Sequence, residues 1–408
     1  MSEKKESYEV CVNDNDDLWR LNLYVCLFGS FTTFMGMTIS FPFLPLFIKD
    51  LGVGDLNKVI YMSSLSYSVT FISAALFSPL WGIVADRYGN KTTLLRASLC
   101  MSVIIICTGL SKTIEQLIFF RALLGMFGGY SAGASILIAK QVPDNRSAWA
   151  LGMLSTFSLL GSLTGPLIGG IFASLFGIRQ TFFIGGGIVF LAFILTLSYI
   201  RERYQCTQMD DLYVKKGVGG EKIKLVAMIF TVLLLVTSCM TIEPIITIQI
   251  EKLNGNYYSV ELAAGIAISA ISIGNMLAAP YYGKITKIIG LEKTMAFCLL
   301  SAGVLLILQG YSVSVWGFTT LRFLMGIAIA GIIPCATLIL SRNSNKETVG
   351  SAIGWLNSVQ YLGQVLGPLI GGLIAVQIGI NEVFIASGII LFIAMTMNVL
   401  MVSITVRK

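Results

Sequence analysis

Three charged side chains lie inside long runs of apolar residues, where charge is rare. Glu243 precedes Pro244 in one run, and Arg121 and Arg322 stand in two others. A charge at the centre of a bilayer costs about 2.5–3.5 kcal/mol on insertion scales, so each must face protein or water and have a partner. Glu243 at such a site can take up and release a proton, or it can form a static ion pair with Arg322. Arg121 and its repeat-mate Arg322 can likewise serve a function or form a purely structural pair, and these alternatives stay open.

The sequence offers few residues for metal binding, redox chemistry or nucleotide binding. The chain contains no histidine, which excludes a histidine-based metal site or proton relay. Its eight cysteines form no Cys-x-x-Cys pair, and most lie in apolar runs, as small core residues do. A Gly-rich phosphate loop with its lysine is also missing from the sequence. We therefore expect no catalytic residues, no metal and no cofactor, and we expect proton chemistry to use carboxylates.

Composition indicates that the solvent around this chain is lipid. Of the 408 residues, 55% are hydrophobic and 12% are charged, and the mean hydropathy is +0.82. A net charge of +7 would suit a nucleic acid partner, but the basic residues stand between apolar runs rather than in one patch. We expect a membrane protein without a nucleic acid partner and without a cleavable signal peptide, since the first 20 residues are hydrophilic.

The charged residues must be positioned by membrane-spanning helices. A bilayer core requires about 20 apolar residues per helix. Twelve runs of the sequence meet this requirement, and they are numbered here as spans 1 to 12: 21–48, 58–84, 94–111, 115–139, 147–175, 181–200, 223–250, 258–282, 294–311, 315–340, 348–376 and 383–404.

The basic residues predict the orientation. With the N-terminus in the cytoplasm, 21 of the 28 Lys and Arg lie on the inner side and five on the outer side, while Arg121 and Arg322 lie within spans. Because cytoplasmic loops carry an excess of Lys and Arg, both termini are predicted to be cytoplasmic.

The two halves of the sequence are related. A polar stretch at 201–222 reads as a cytoplasmic linker between a first half (21–200) and a second half (223–404), with tails at 1–20 and 405–408. An ordered series of residues recurs 201 or 202 positions later: Pro79 and Pro280, Gly82 and Gly283, Gly89 and Gly290, Arg121 and Arg322, Gly152 and Gly354. The predicted fold is an all-α integral membrane protein of two six-helix repeats, with a solute site at their interface.

Two glycine motifs stand at particular places in these spans. The loop between spans 2 and 3 reads Gly82-Ile-Val-Ala-Asp86-Arg87-Tyr-Gly89-Asn90-Lys91, in which glycines permit a tight turn and the charges can form a breakable latch. Span 5 contains Gly161-Ser-Leu-Thr-Gly165-Pro166-Leu-Ile-Gly169-Gly170 and span 11 repeats the pattern from Gly363. Glycines four residues apart share one helix face and admit a closely packed neighbour.

These motifs resemble those of the major facilitator superfamily, and within it the twelve-span drug:proton antiporters of bacterial inner membranes. The resemblance covers residues 21–404 and includes Arg121-Ala-Leu-Leu-Gly125. It implies that the Gly82–Lys91 loop stabilises the outward-facing state, although Asn90 replaces the usual arginine. It also implies that Arg121 takes part in coupling and that the span 5 signature marks exporters that work by antiport; the alternative for that signature is close packing without directional meaning.

The resemblance further implies a cavity lined by spans 1, 4, 7 and 10, with spans 2, 5, 8 and 11 beside them. Aromatic, methionine and amide side chains in these spans suit varied apolar ligands. The candidates are Met35, Met37, Phe41, Phe43, Tyr67, Phe71, Tyr130, Gln249, Asn275, Trp355, Asn357, Gln360, Tyr361 and Gln364.

The sequence as a whole favours a monomeric secondary transporter that exports amphipathic small molecules or drugs in exchange for protons. Its partners would be a small-molecule substrate, the proton and the lipid bilayer. Three alternatives stay open: a dedicated exporter of one metabolite such as a siderophore, a solute:proton symporter, and a membrane sensor that does not transport.

Overall fold

A computed structural model describes the backbone of residues 3–201, 222–254, 259–343 and 349–406. Within these ranges, nothing is described of the side chains of residues 3–17, 86, 144, 145, 148, 222–225, 342, 343, 349–353 and 401–406. Most of the predicted linker therefore lies outside the described residues.

The described residues form sixteen α-helices and no strand. In chain order the helices are α1 (Glu3–Thr38), α2 (Leu44–Asp50), α3 (Leu56–Tyr88), α4 (Asn90–Gly109), α5 (Ile114–Phe127), α6 (Tyr130–Gln141), α7 (Asp144–Phe176), α8 (Ile178–Tyr199), α9 (Lys222–Ile242), α10 (Ile246–Asn254), α11 (Val260–Ile289), α12 (Leu291–Gly310), α13 (Val315–Ile329), α14 (Ile332–Asn343), α15 (Val349–Gln377) and α16 (Ile380–Val406).

Twelve segments of the described chain are long and apolar enough to cross a membrane, and they coincide with the twelve predicted spans. The largest difference is at the end of span 8, which reaches Ile289 instead of residue 282. The all-α fold class is therefore confirmed. The helix of span 1 begins much earlier than its apolar run, at Glu3, within the predicted N-terminal tail.

Spans 1, 4, 7 and 10 each consist of two helices. A 3-10 turn, Phe41–Phe43, joins α1 to α2, and another, Glu243–Ile245, joins α9 to α10. Pro42 and Pro244 cause these breaks because proline has no N–H to continue the helical bonding. In span 4 the break falls at Gly129, whose φ of +99° favours glycine.

The two halves pack by the same plan. In the first half α1 packs on α7, α3 on α5 and α4 on α8; in the second half α9 packs on α15, α11 on α13 and α12 on α16. The halves meet where α7 contacts α11 and where α3 contacts α15. Serine hydroxyls reinforce both contacts: Ser68 donates to the Val365 carbonyl (2.9 Å) and Ser269 donates to the Leu163 carbonyl (2.8 Å).

Candidate functional site

A cavity of about 900 Å³ lies between the two halves. Its wall reaches from Phe41 and Glu243, at the two 3-10 turns, to Ala85 and Thr93, which flank the loop of Gly89. We call the extremity with that loop the Gly89 end. The opposite extremity, the Lys49 end, carries an ion pair between the halves in which Lys49 Nζ lies 2.6 Å from Glu251 Oε2.

The structure places most of the candidate cavity residues on this wall. They are Met37, Phe41, Phe71, Tyr130, Asn275, Asn357, Gln360, Tyr361 and Gln364. Phe43, Tyr67 and Gln249 do not line it and are buried in packing instead.

Two further candidates, Met35 and Trp355, were wrongly assigned to the wall. Met35 is buried at 2% exposure, and its carbonyl faces Gly165 of span 5. Trp355 is 62% exposed and does not line the cavity. Each stands two residues before a wall residue, Met37 or Asn357. Two residues turn a helix by about 200°, so these side chains point away from the cavity.

Glu243 and Arg322 form an ion pair beside the cavity. Arg322 Nη2 donates to Glu243 Oε1 at 3.1 Å, and Arg322 Nε donates to the Ala267 carbonyl at 3.0 Å. Arg322 is fully buried and Glu243 is 7% exposed. The 3-10 turn at Pro244 brings Glu243 to the wall, while Arg322 lies behind it. A carboxylate that touches both the cavity and a buried cation can exchange a proton with the cavity.

Arg121 has a different environment. It is 3% exposed, and its Nη2 donates to Ser40 Oγ at 2.5 Å. Among the described residues the structure gives it no ion pair. Phe41, which lies 202 positions before Glu243, occupies the corresponding 3-10 turn of the first half. The first half therefore contains the arginine without the acid.

The glycines of span 5 pack against two different neighbours. A Cβ on Gly161, Gly165 or Gly169 would overlap span 1, at Phe31, Thr38 and Ile39 respectively. Gly170 instead faces the second half: its Cβ would lie 2.5 Å from the Glu261 carbonyl oxygen and 3.2 Å from Gly265 Cα. Helix α7 is continuous through Pro166. The close helix face expected from the glycine spacing is thus present, and the adjacent Gly170 adds a close contact between the two halves.

The copy of this motif in span 11 packs in the corresponding way. Gly363, Gly367 and Gly371 approach span 7, and Gly372 approaches Ser64 of span 2. The repeat seen in the sequence is therefore a repeat of contacts, both within each half and between the halves.

Comparison with known proteins decides the family. The Major Facilitator Superfamily model matches residues 26–208 and 228–408. The chain belongs to the major facilitator superfamily. It is 37% identical over 378 residues to multidrug resistance protein MdtG of Citrobacter koseri, covering 92% of this chain and 93% of the relative. It is also 37% identical over 386 residues to MdtG of Escherichia coli K12 / DH10B, covering 94% and 95%.

Solved structures share the major facilitator fold. A bacterial homolog of the human lysosomal transporter Spinster, in an inward-facing and occupied conformation, superposes with a TM-score of 0.77 at 16% identity, covering 93% of this chain and 95% of that chain. The nucleoside transporter NupG gives a TM-score of 0.73 at 14% identity, covering 93% and 98%. At these identities the likeness concerns the fold alone.

The superfamily's loop motif is arranged here within the first half. Gly89 has a φ of +86° between α3 and α4, and Lys91 Nζ donates to the Leu197 carbonyl at 3.1 Å. Arg87 is exposed beside the Tyr88 ring, and the side chain of Asp86 lies outside the described residues. Gly82 lies on the cavity wall, where a Cβ would meet nothing within 4 Å. Gly82 stands inside α3, so of the two glycines expected to permit a tight turn only Gly89 is in one.

Sequence reasoning missed two features of this transporter fold. Lys49 was counted only as one of the five outer basic residues and Glu251 was not considered, although the two lie 202 positions apart, which is the spacing of the repeat. At the Gly89 end the guanidinium of Arg96 lies 3.4 Å from the centre of the Trp81 ring, and Trp81 lines the cavity. No sequence motif identified that pair.

Proposed function

We propose that this chain exports amphipathic small molecules across the bacterial inner membrane in exchange for protons. The observation that carries the proposal is the Glu243–Arg322 pair on the wall of a cavity large enough for a drug-sized solute. The name of the MdtG relatives, multidrug resistance protein, supports the same kind of substrate.

In this proposal the Glu243 carboxylate responds to both the proton and the substrate, and this shared response couples their transport. Ionised Glu243 is stabilised by Arg322, and protonation removes that charge attraction. Exchange requires that the proton and the substrate oppose each other at the Glu243 turn, so that the transporter carries one or the other in each half of its cycle. Arg121, bonded to Ser40, would stabilise the matching turn in the first half.

The arrangement of the halves supports alternating access by rocking. The contacts of Gly170 with Glu261, of Gly372 with Ser64 and of Lys49 with Glu251 cluster toward the Lys49 end, while the cavity wall extends toward the Gly89 end. With the predicted orientation the Lys49 end is outside, so this would be an inward-facing state. The division into two moving halves, 21–200 and 223–404, is part of this proposal, as are the monomeric state and the latch formed by Asp86.

Flux measurements on purified protein in proteoliposomes test the proposal. With an imposed pH gradient and no sodium gradient, a fluorescent drug should move against its own gradient, opposite to the proton. Movement in the same direction as the proton would indicate symport, dependence on sodium alone would exclude proton coupling, and absence of flux for all drugs would favour a dedicated metabolite exporter or a sensor.

The proposed orientation has its own test, which rests on the distribution of Lys and Arg. Reporter fusions after residue 210 and at the C-terminus should report the cytoplasm, and a fusion near residue 254 should report the outside. A reversed signal at two of these positions would contradict the proposed topology.

A further inference from the structure

The two halves present different chemistry to the cavity. Among the described residues, the carboxamide side chains on its wall all come from the second half: Asn275 on α11, and Asn357, Gln360 and Gln364 on α15. The last three follow one another at spacings of three and four residues, so they share one face of α15. A band of amides therefore runs along one side of the cavity.

The facing wall of the first half carries five aromatic rings among small and aliphatic residues: Phe34, Phe41, Phe71, Trp81 and Tyr130. The polar ends of two of these rings bond elsewhere in the protein. Trp81 Nε1 donates to the Met126 carbonyl at 2.6 Å, and the Tyr130 hydroxyl bonds to the Thr196 hydroxyl at 2.8 Å. The rings therefore offer the cavity apolar surface.

Most hydroxyl groups of that wall are also engaged within the first half, whereas Ser78 shows no hydrogen bond to any of the described residues. Thr33 Oγ1 donates to the Gly29 carbonyl at 2.7 Å, and Thr38 Oγ1 donates to the Phe34 carbonyl at 2.9 Å. Ser162 Oγ donates to the Leu159 carbonyl, also at 2.9 Å. With their protons used in this way, these residues add little donor capacity to the cavity.

The amides of the second half keep much of their bonding capacity. Gln360 Nε2 donates over long distances, 3.3 Å to Asn357 Oδ1 and 3.4 Å to the Leu356 carbonyl. From the described residues, the structure shows no hydrogen bond to the side chains of Asn275 and Gln364. The charged residue on the wall, Glu243, is already paired with Arg322. Recognition here would use hydrogen bonds more than net charge.

We infer that the cavity selects uncharged, facially amphipathic solutes. The apolar face would lie on the aromatic rings of the first half, and hydroxyl or amide groups on the other face would bond to the amide band. This inference rests on the proposed function, since it names the solute class of the same cavity. The amides are half-buried or exposed in the open cavity. A solute without the polar face would cover them without bonding to them, so the site discriminates against such analogues.

Binding to the purified protein in lipid nanodiscs tests this inference. The probes are 4-methylumbelliferyl β-glucoside, which joins a flat apolar coumarin to an uncharged sugar, its aglycone 4-methylumbelliferone, and the planar cation ethidium. Equilibrium dialysis at slightly acidic pH, where the aglycone is neutral, gives each affinity. We expect the glucoside to bind at least about tenfold more tightly than the aglycone.

Matched variants locate the effect. Gln360→Leu combined with Gln364→Leu should weaken glucoside binding by at least about tenfold and aglycone binding by less than about twofold. Gln377→Leu makes the same change on the same helix, at an exposed position off the cavity wall, and should alter neither affinity. If the double variant fails to fold, Asn275→Leu on α11 tests the amide band independently.

Two results would overturn the inference: equal affinity for glucoside and aglycone, or tight binding of ethidium that is lost in Glu243→Gln while the glucoside does not bind. Flux separates this failure from failure of the proposed function. Proton-driven ethidium export without glucoside preference would retain the transporter and reject the uncharged solute class. Selective glucoside binding without flux under a pH gradient would support the solute class and contradict proton-driven export.

Discussion

The two buried arginines occupy corresponding positions but bond to different groups. Arg322 pairs with a carboxylate on the cavity wall, whereas Arg121 bonds to the hydroxyl of Ser40. The difference arises at one position, where Glu243 in the second half corresponds to Phe41 in the first. Sequence analysis left a proton carrier and a static pair as alternatives for Glu243; the ion pair is present, and it also touches the cavity, so the pair does not by itself exclude proton transfer.

Replacement of Glu243 by Gln separates these roles. If Glu243 carries the proton, the variant should bind substrate and exchange it downhill but should not drive it against a gradient, because the amide does not titrate. If the carboxylate only neutralises Arg322, the variant should lose about 3–5 kcal/mol of stability by leaving a buried cation unpaired. Uphill, pH-dependent flux together with unchanged thermal unfolding would contradict both roles.

The double variant Glu243→Gln with Arg322→Met is the control for that experiment. It removes the unpaired cation, so a purely structural pair predicts that expression and uphill transport recover together. A proton carrier predicts recovered stability without uphill transport.

Two glycines of the same loop motif should differ sharply in their tolerance of a side chain. Gly89 has a φ of +86°, a conformation that costs a side chain about 1–3 kcal/mol, so Gly89→Val should reduce folded protein and transport. Gly82 lies within α3 beside open space, so Gly82→Ala should not lower the temperature of thermal unfolding and should raise it slightly, because alanine favours a helix over glycine by about 1 kcal/mol. Fluorescence-detected size exclusion with heating measures both, and equal behaviour of the two variants would contradict the assigned geometry. A transport defect in stable Gly82→Ala protein would indicate that Gly82 is approached in another state.

At the scale of helices, glycine rows determine which spans can approach. The spacing in span 5 predicted one close face, and the contacts of Gly161, Gly165 and Gly169 with span 1 agree with it. The spacing could not identify the neighbour, because that depends on the packing of the whole bundle. It also could not show that Gly170, one residue further round the helix, would contact the other half. Met35 and Trp355 were expected on the cavity wall but do not line it, for a similar reason. The hydropathy of a span does not determine how the helix is rotated about its own axis.

Gly170→Ala tests the role of that contact. The added methyl group would lie 2.5 Å from the Glu261 carbonyl oxygen, so it should hinder closure at the Lys49 end while each half stays folded. In a cysteine-free background, Ser68→Cys is buried at the other contact between the halves, where α3 meets α15. It should react faster with a water-soluble maleimide when Gly170→Ala is added, because closure brings both contacts together. Gly152→Ala lies on the same helix with open space around it and should leave the rate unchanged. Equal labelling rates in all three proteins would contradict a gating role for Gly170.

At the scale of the whole molecule, the sequence predicted the twelve spans and their relation as two repeats. It did not predict that spans 1, 4, 7 and 10 would each be broken into two helices, because the apolar run continues through each break. These breaks matter for the site, since two of them carry Phe41 and Glu243 to the cavity wall. The direction in which the cavity extends could not be predicted from the sequence either, because it depends on how the two halves pack in three dimensions.

The ion pair between Lys49 and Glu251 should favour closure at its end of the molecule. The side chains are 32% and 39% exposed, so the pair contributes less than about 1 kcal/mol and should weaken in high salt. Lys49→Glu or Glu251→Lys alone places like charges together and should raise maleimide labelling of Ser68→Cys. The exchanged double variant should restore the slow rate. Equal rates in all four proteins would exclude a contribution of this pair to closure.

The position of that pair has an evolutionary consequence. Lys49 and Glu251 are counterparts in the two repeats, and counterparts that touch each other lie close to the axis relating the repeats. In an assembly of two identical halves, one residue at this position would meet its own copy, and a charge would repel itself. Attraction here became available only after the gene had duplicated and the copies had diverged. The pair thus shows one advantage of joining two diverged repeats in one chain: such a chain can place opposite charges at a position where a homodimer can place only equal ones.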